Sequence, residues 1–350
     1  MKAFFDPRQL GHAPDTYFRG GAPMPHPEQP ARAALLRDML EENGFPVLAP
    51  SDYGLAPITA VHDPDYVAFF ADAYARFVAE APEGALGIPT RHPGRRRGRE
   101  PKDINGAMGW WMTDTSTPLT PELYASVYWS AQSAVAAAED VMGGALASYA
   151  LCRPPGHHAM IDGANGFCVF NNACIAAHHL RGRWGKIGLL DVDVHTGNGS
   201  LDILYERGDI FLCSLHANPA VYPTFYLGHA DETGDGDGAG TVLNEVLELG
   251  ASQDTVLEAL DRGIAAVQAF GAEALVVSLG FDMAHDDPLA AVQVHDDGFA
   301  EMARRIAGMG LPTVLVQEGG YLGPSLRANA EAFLTTYRDS IGVSYLPPDV

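Results

Sequence analysis

The chain has 350 residues, 47% of them hydrophobic, enough for one large α/β core or two smaller ones. Its formal charge of −22 argues against general nucleic-acid binding, which needs a positive surface, and suits plain solubility or a cationic substrate. No stretch reaches the ~18 apolar residues of a membrane helix. Cys152, Cys168, Cys174 and Cys213 form no CxxC pair, so neither a disulfide framework nor a thiolate zinc site is expected, and a reducing cytoplasm is.

In chain order, MKAFFDPRQLGH is no signal peptide, because its apolar run is short and Asp6 follows at once. Apolar residues at helical spacing, a proline near the start and Gly44 beyond the end predict a helix over 30–42. The segment 81–119 is rich in Gly, Pro and Arg, including RHPGRRRGREPK at 91–102, and is too long for an ordinary connector. It reads as an inserted, solvated loop. Yet Trp110, Trp111 and Met112 would be costly to leave in water, which suggests a partner surface or a pocket wall. Thr120-Pro121-Glu122 opens a long helix reaching about Val141.

Residues 149–152 begin a series of near-continuous apolar runs, followed by 187–190, 210–215, 274–279 and 313–317. Such runs are what buried parallel strands require. Helices separate them: Asn171 or Asn172 caps one through Leu180, Ser252 one through Phe270, and Asp297 one through Ala307. The alternation predicts an α/β fold with a single open, doubly wound parallel sheet, helices on both faces, in one domain over 1–350. ADETGDGDGAG at 230–240 lacks the EF-hand ligand set and its terminal Glu, so it reads as a structural loop.

In open α/β sheets, sites form beyond the carboxyl ends of the strands. There this chain places RPPGHH with His157 and His158, then DVDVH, His216, Asp282 and Tyr321. In an extended chain residues i, i+2 and i+4 share a face, so Asp191, Asp193 and His195 point one way while Val192 and Val194 point the other. Two carboxylates and an imidazole on one buried face call for a cation. Oxygen and nitrogen donors suit zinc or another first-row divalent ion. Asp282 is the natural third ligand, and three protein ligands with an open fourth position are the pattern of a catalytic metal. Such a metal lowers the pKa of water to ~7 and polarises a carbonyl. Beside it the paired histidines can take a proton from water and return it to a leaving group. Tyr321, set after two glycines, can donate to an oxyanion.

HPEQPAR at 26–32, VHDPDYV at 61–67, RPPGHHA at 153–159, GFCVFNNA at 166–173, DVDVHTGNG at 191–199, SLGFD at 278–282 and EGGY at 318–321 resemble, in order and spacing, the arginase-like deacetylase family. That family contains the zinc-dependent histone deacetylases and acetylpolyamine amidohydrolases. Chain length and the 81–119 segment point to the bacterial acetylpolyamine branch. The resemblance implies one zinc held by Asp193, His195 and Asp282. It makes His157 and His158 the catalytic pair, with Asp191 orienting His157, and has Tyr321 polarising the acyl carbonyl. It implies an acyl channel walled by Gly166 and Phe167 on one side and Tyr222 on the other. It also implies a structural potassium ion near Asp191, Asp193, His195, Ser214 and Leu215.

There are departures from the family pattern. Thr196 stands where a second histidine commonly follows the metal histidine. Asn105 stands where polyamine-specific members tend to carry a Glu. Asn198 stands where many eukaryotic members carry an Asp, and this neutral partner predicts His158 as the proton shuttle and His157 as the more cationic residue. The implied activity is deacetylation of small amines, acetylpolyamines first, with no nucleic-acid or membrane partner. The 81–119 segment would narrow the entrance and join a homodimer. The alternatives are an acetyl-lysine or other N-acyl protein deacylase, a binuclear manganese enzyme, which would want a carboxylate at Ala284, and a non-catalytic binding protein on the same scaffold.

Overall fold

The computed structural model describes residues 1–93, 98–223 and 225–341. Residues 94–97, which hold three arginines of the basic run, residue 224 and residues 342–350 lie outside the described residues. The strands are β1 (Lys2–Phe4), β2 (Thr16–Arg19), β3 (Ala22–Pro25), β4 (Val47–Leu48), β5 (Ala147–Ala150), β6 (Ile187–Asp191), β7 (Ile210–Ala217), β8 (Val242–Leu247), β9 (Ala274–Leu279) and β10 (Thr313–Gln317). The helices are α1 (Pro30–Glu42), α2 (Ala56–Thr59), α3 (Pro64–Glu80), α4 (Ile104–Trp111), α5 (Leu123–Met142), α6 (Asn172–Leu180), α7 (Asn198–Leu204), α8 (Gln253–Phe270), α9 (Asp296–Ala307) and α10 (Leu326–Ser340).

The five apolar runs become the five fully buried strands β5, β6, β7, β9 and β10. They sit in one eight-stranded parallel sheet, in the order β4-β1-β5-β10-β9-β6-β7-β8. Strand alternation sends Leu190, Cys213, Val277 and Leu315 to one face, against Leu36 of α1, Leu260 of α8, Phe299 of α9 and Phe333 of α10. It sends Leu189, Leu212, Val276 and Val314 to the other, against Ala137 of α5, Ala177 of α6 and Leu201 of α7. β2 and β3 form a separate antiparallel hairpin.

Several boundaries differ from the sequence reading, each for a local reason. β5 ends at Ala150, two residues before Cys152, where its register with Phe4 of β1 and Val316 of β10 ends. Leu151 still donates its N–H to the Phe4 carbonyl at 3.0 Å, and both it and Cys152 are buried. α9 is entered from His295, whose backbone is extended, and Asp297 lies inside the first turn. α3 was not predicted, although Asp63 caps it by accepting the Asp65 N–H at 2.7 Å and Pro64 opens it. β8 follows the Gly-rich loop and is only partly buried, so it gives no continuous apolar run.

The 81–119 segment differs most from the expected loop, because it holds a helix. Asp103 caps α4 by accepting the Gly106 N–H at 2.9 Å. The helix lays Ile104, Met108 and Trp111, with Met112 after it, into a third core cluster with Tyr66, Phe70 and Val127. Trp111 and Met112 are therefore interior residues of this chain rather than a partner surface, and Trp110 is half-buried. Trp111→Ala is expected to cost about 3–5 kcal/mol, as large core truncations do. Denaturant unfolding checks this, and a loss near zero would mean that α4 is peripheral to the core.

Candidate active site

The four central strands β5, β10, β9 and β6 bring their carboxyl ends together, with β10 and β9 inserted between two strands that follow each other in sequence. Such a break in strand order opens a crevice. Asp191, the last residue of β6, pairs in register with Ser214 of β7 and Ser278 of β9.

Beyond this edge Asp193, His195 and Asp282 converge, all buried, with one donor atom of each inside a 4.8 Å span. His195 Nδ1 lies 3.0 Å from Asp193 Oδ1 and 3.1 Å from Asp282 Oδ2. Tetrahedral zinc ligands at ~2.0 Å stand roughly 3.3 Å apart, so the donor set fits the ion. The other carboxylate oxygens are taken by backbone: Asp193 Oδ2 accepts the Gly319 N–H at 2.8 Å and Asp282 Oδ1 the Val194 N–H at 3.0 Å. A Cβ at Gly319 would stand 2.1 Å from Asp282 Oδ2, so only glycine allows this approach.

The electrostatics point to a cation. Burial opposes a charged His195, yet its bonds to Asp193 and Asp282 outweigh this and push it up to about 10. Asp193, although buried, is held low by His157 and His195. Burial and then the charge of Asp193 raise Asp282. A proton on His195 thus supplies the positive charge that a metal would bring to the same three residues. Among the described residues this is the one such cluster of His, Cys, Asp and Glu. Ala284, where a second metal would need a carboxylate, is buried among apolar residues.

The histidine pair lies alongside, rings 4.0 Å apart. His157 Nδ1 meets Asp191 Oδ2 at 3.0 Å, and His158 Nδ1 meets Asn198 Oδ1 at 2.7 Å. Burial opposes a charged His157, but Asp193 and Asp191 push it up to about 10. Burial, then the charges of His157 and His195, hold His158 well below its ordinary value. The two imidazoles are therefore electrostatically distinct. Their loop is held by Glu318, whose Oε2 accepts the N–H groups of Gly156 and His157 at 2.6 and 3.0 Å and whose Oε1 accepts the Ser278 hydroxyl at 3.0 Å.

Above the cluster opens a cavity of about 130 Å³. Gly166, Phe167, Tyr222 and Tyr321 all line it, with His158 and His195 at its base. Gly166 has φ +52, and a Cβ there would stand 2.2 Å from His158 Cδ2. The Tyr222 ring stacks on His195 at 5.6 Å. The Phe225 ring lies 4.3 Å from His158, a wall the sequence reading missed. Tyr321 is buried edge-on to Phe167, and burial with the charges of Asp282 and Asp193 keeps its hydroxyl protonated far above the ordinary range. Tyr17, Arg19, Asp114 and Ser116 form the rim, so the end of the 81–119 segment does wall the pocket. His216 bonds to Ser214 and Gly228 instead of joining the cluster. Asn105 is exposed and does not line this cavity.

A buried Asp-His-Asp cluster beside a histidine pair and a tyrosine, at the carboxyl edge of a parallel sheet, defines a class. The chain belongs to the histone deacetylase domain family, whose profile matches residues 26–337. An acetylpolyamine amidohydrolase of Burkholderia pseudomallei (strain 1710b) is 42% identical over 95% of this chain and 97% of its own length. One from Mycoplana ramosa is 41% identical over 90% of this chain and 93% of its own. The crystal structure of an acetylpolyamine aminohydrolase from Burkholderia pseudomallei matches with a TM-score of 0.95 at 40% identity, covering 98% of this chain and all of that one. The HDA15 HD domain, at 23% identity and a TM-score of 0.78, shares the fold. No helix of the described residues is long and apolar enough to cross a membrane.

Elemental analysis of the purified chain is expected to give about one divalent ion per chain, and Asp282→Ala about none, as loss of one of three ligands should do. Zinc should also raise the melting temperature of the metal-free protein but not of that variant. Two divalent ions per chain would contradict the mononuclear arrangement.

Proposed function

We propose that this chain hydrolyses the amide of N-acetylated small amines, acetylpolyamines first, with one zinc held by Asp193, His195 and Asp282. The observation that carries the reading is the convergence of that ligand set, two electrostatically distinct histidines and a protonated tyrosine on one narrow cavity. Zinc there supplies Lewis-acid polarisation of the acyl carbonyl and activation of water at neutral pH. His158, held neutral, accepts the proton of the attacking water and returns it to the departing amine. His157, held cationic by Asp191, adds positive charge beside the reacting carbon. Tyr321 donates its hydroxyl proton in a hydrogen bond to the developing oxyanion. Phe167 and Phe225 flank the alkyl chain and keep water out.

The relatives' names favour acetylated polyamines. The exposed Arg19 guanidinium at the rim favours a second reading, in which the far end of the substrate is not cationic, as in an acetyl-lysine peptide. The same proposal includes a structural potassium ion at Asp191, Asp193, His195, Ser214 and Leu215, supported by the pairing of Asp191 with Ser214 at the sheet edge. It includes a homodimer through the 81–119 segment, supported by the half-exposed Leu86. A reducing, cytoplasmic setting is supported by four buried free cysteines.

The deciding assay offers acetylputrescine, acetylcadaverine, acetylspermidine and an acetyl-lysine peptide to the zinc-loaded enzyme and measures released acetate. Fast turnover of the small amines alone is expected; preference for the peptide would move the assignment to a protein deacylase. Tyr321→Phe is expected to lower kcat by about 100-fold with the fold intact, the scale of losing one oxyanion donor. An unchanged rate would remove Tyr321 from the chemistry. His158→Ala should cost more activity than His157→Ala, and the reverse order would exchange their roles.

A further inference from the structure

Asp287 belongs neither to the metal cluster nor to the chemistry above, yet it is 9% exposed and both of its carboxylate oxygens are engaged. Oδ2 accepts the backbone N–H of Tyr321 at 2.7 Å, and Oδ1 that of Leu289 at 2.7 Å. Keeping a carboxylate here is costly: burial, then the negative charge of Asp282, push it up to about 7.

The two bonds reach two residues that line the cavity, Tyr321 and Leu289. Tyr321 follows Gly319 and Gly320, whose carbonyls are held by the Arg32 guanidinium, so Arg32 fixes the backbone before the tyrosine and Asp287 fixes the tyrosine's own N–H. Leu289 offers its carbonyl to the Tyr222 hydroxyl, and the Tyr222 ring lies over His195. The 285–293 loop that carries Asp287 is closed at its base by the Ala284–Val294 bridge. Ser325 bonding to Asp286 joins the same two loops, but reaches neither wall of the cavity.

We propose that Asp287 is a positioning residue for the hydrolysis. One carboxylate sets the height of the Tyr321 hydroxyl over the metal cluster and, through Leu289, the placement of the Tyr222 wall. The inference rests on the amidohydrolase reading. An oxyanion donor works only within a few tenths of an ångström of its place, and ~1 Å of displacement can cost about 100-fold in rate.

The test is Asp287→Asn, which keeps the shape but turns an N–H donor toward one of the two backbone N–H groups. In the zinc-loaded enzyme kcat is expected to fall about 30-fold, with KM changed less than about threefold, since the lost interaction matters mainly in the transition state. In a Tyr321→Phe background the same substitution should cost less than about threefold, because both changes remove the same contribution. Amide hydrogen exchange over 319–323 should quicken about tenfold, reporting the freed Tyr321 N–H. Should Asp287→Asn not fold, Asp287→Ser, which keeps a small acceptor, takes its place in both measurements. Equal losses in the two backgrounds, or unchanged exchange, would overturn the role of Asp287. A wild-type chain inert toward every acetylated amine would instead remove the reading beneath it, and the exchange measurement separates the two failures.

Discussion

Asp193 and Asp282 share a buried site in which neither can be solvated, and most of the architecture around them answers to that constraint. Two carboxylates in a low-dielectric interior repel each other and lose their water. Backbone N–H groups from Gly319 and Val194 satisfy one oxygen of each. The remaining oxygens face His195 Nδ1, where positive charge must reside. A side chain at Gly319 would strike Asp282, so the EGGY turn needs glycine there. A parallel sheet suits the task, because four adjacent strands end in loops that can be aimed at one point without disturbing the hydrogen-bonded ladder behind them.

Around this charge the second layer of contacts separates groups of identical chemistry. His157 and His158 are neighbours in sequence, but one faces Asp191 and the other Asn198. Burial and the charge of His157 hold His158 a neutral base, while Asp193 and Asp191 keep His157 a cation. Glu318 keeps both in place by tying their loop to β9 and to its own strand end. Behind it, Arg153 and Arg32 share the buried Glu28 carboxylate and carry the N-terminal part of the chain up to the catalytic edge.

The sheet was legible in the sequence because its central strands are buried on both faces and need unbroken apolar runs. Asp193 and His195 were legible because DVDVH sets carboxylates and an imidazole among buried valines, although the chain bends over 193–195 instead of staying extended and Asp191 faces His157. Elements without such a signature were not. β1 and β4 are too short, β8 is an edge strand with mixed burial, and α3 was passed over despite its Asp63-Pro64 opening. Trp111 looked like an exposed liability because nothing local shows that α3 lies across it. Phe225 and Asp287 went unseen because their roles depend on loops that meet only in space. A sequence displays what repeats along the chain more readily than what converges from separate turns.

The cavity's small volume has a consequence for descent. At about 130 Å³ it is narrow, with His158 and His195 at its base. The residues that can distinguish one acetylated amine from another are those of its rim, Tyr17, Arg19 and Asp114, away from the buried centre. These residues come from a surface hairpin and an inserted segment, which tolerate substitution far better than the strand ends below. Bond cleavage and substrate choice are thus carried by separate parts of the molecule, and a lineage can change its diet by drift at the rim while the centre stays frozen.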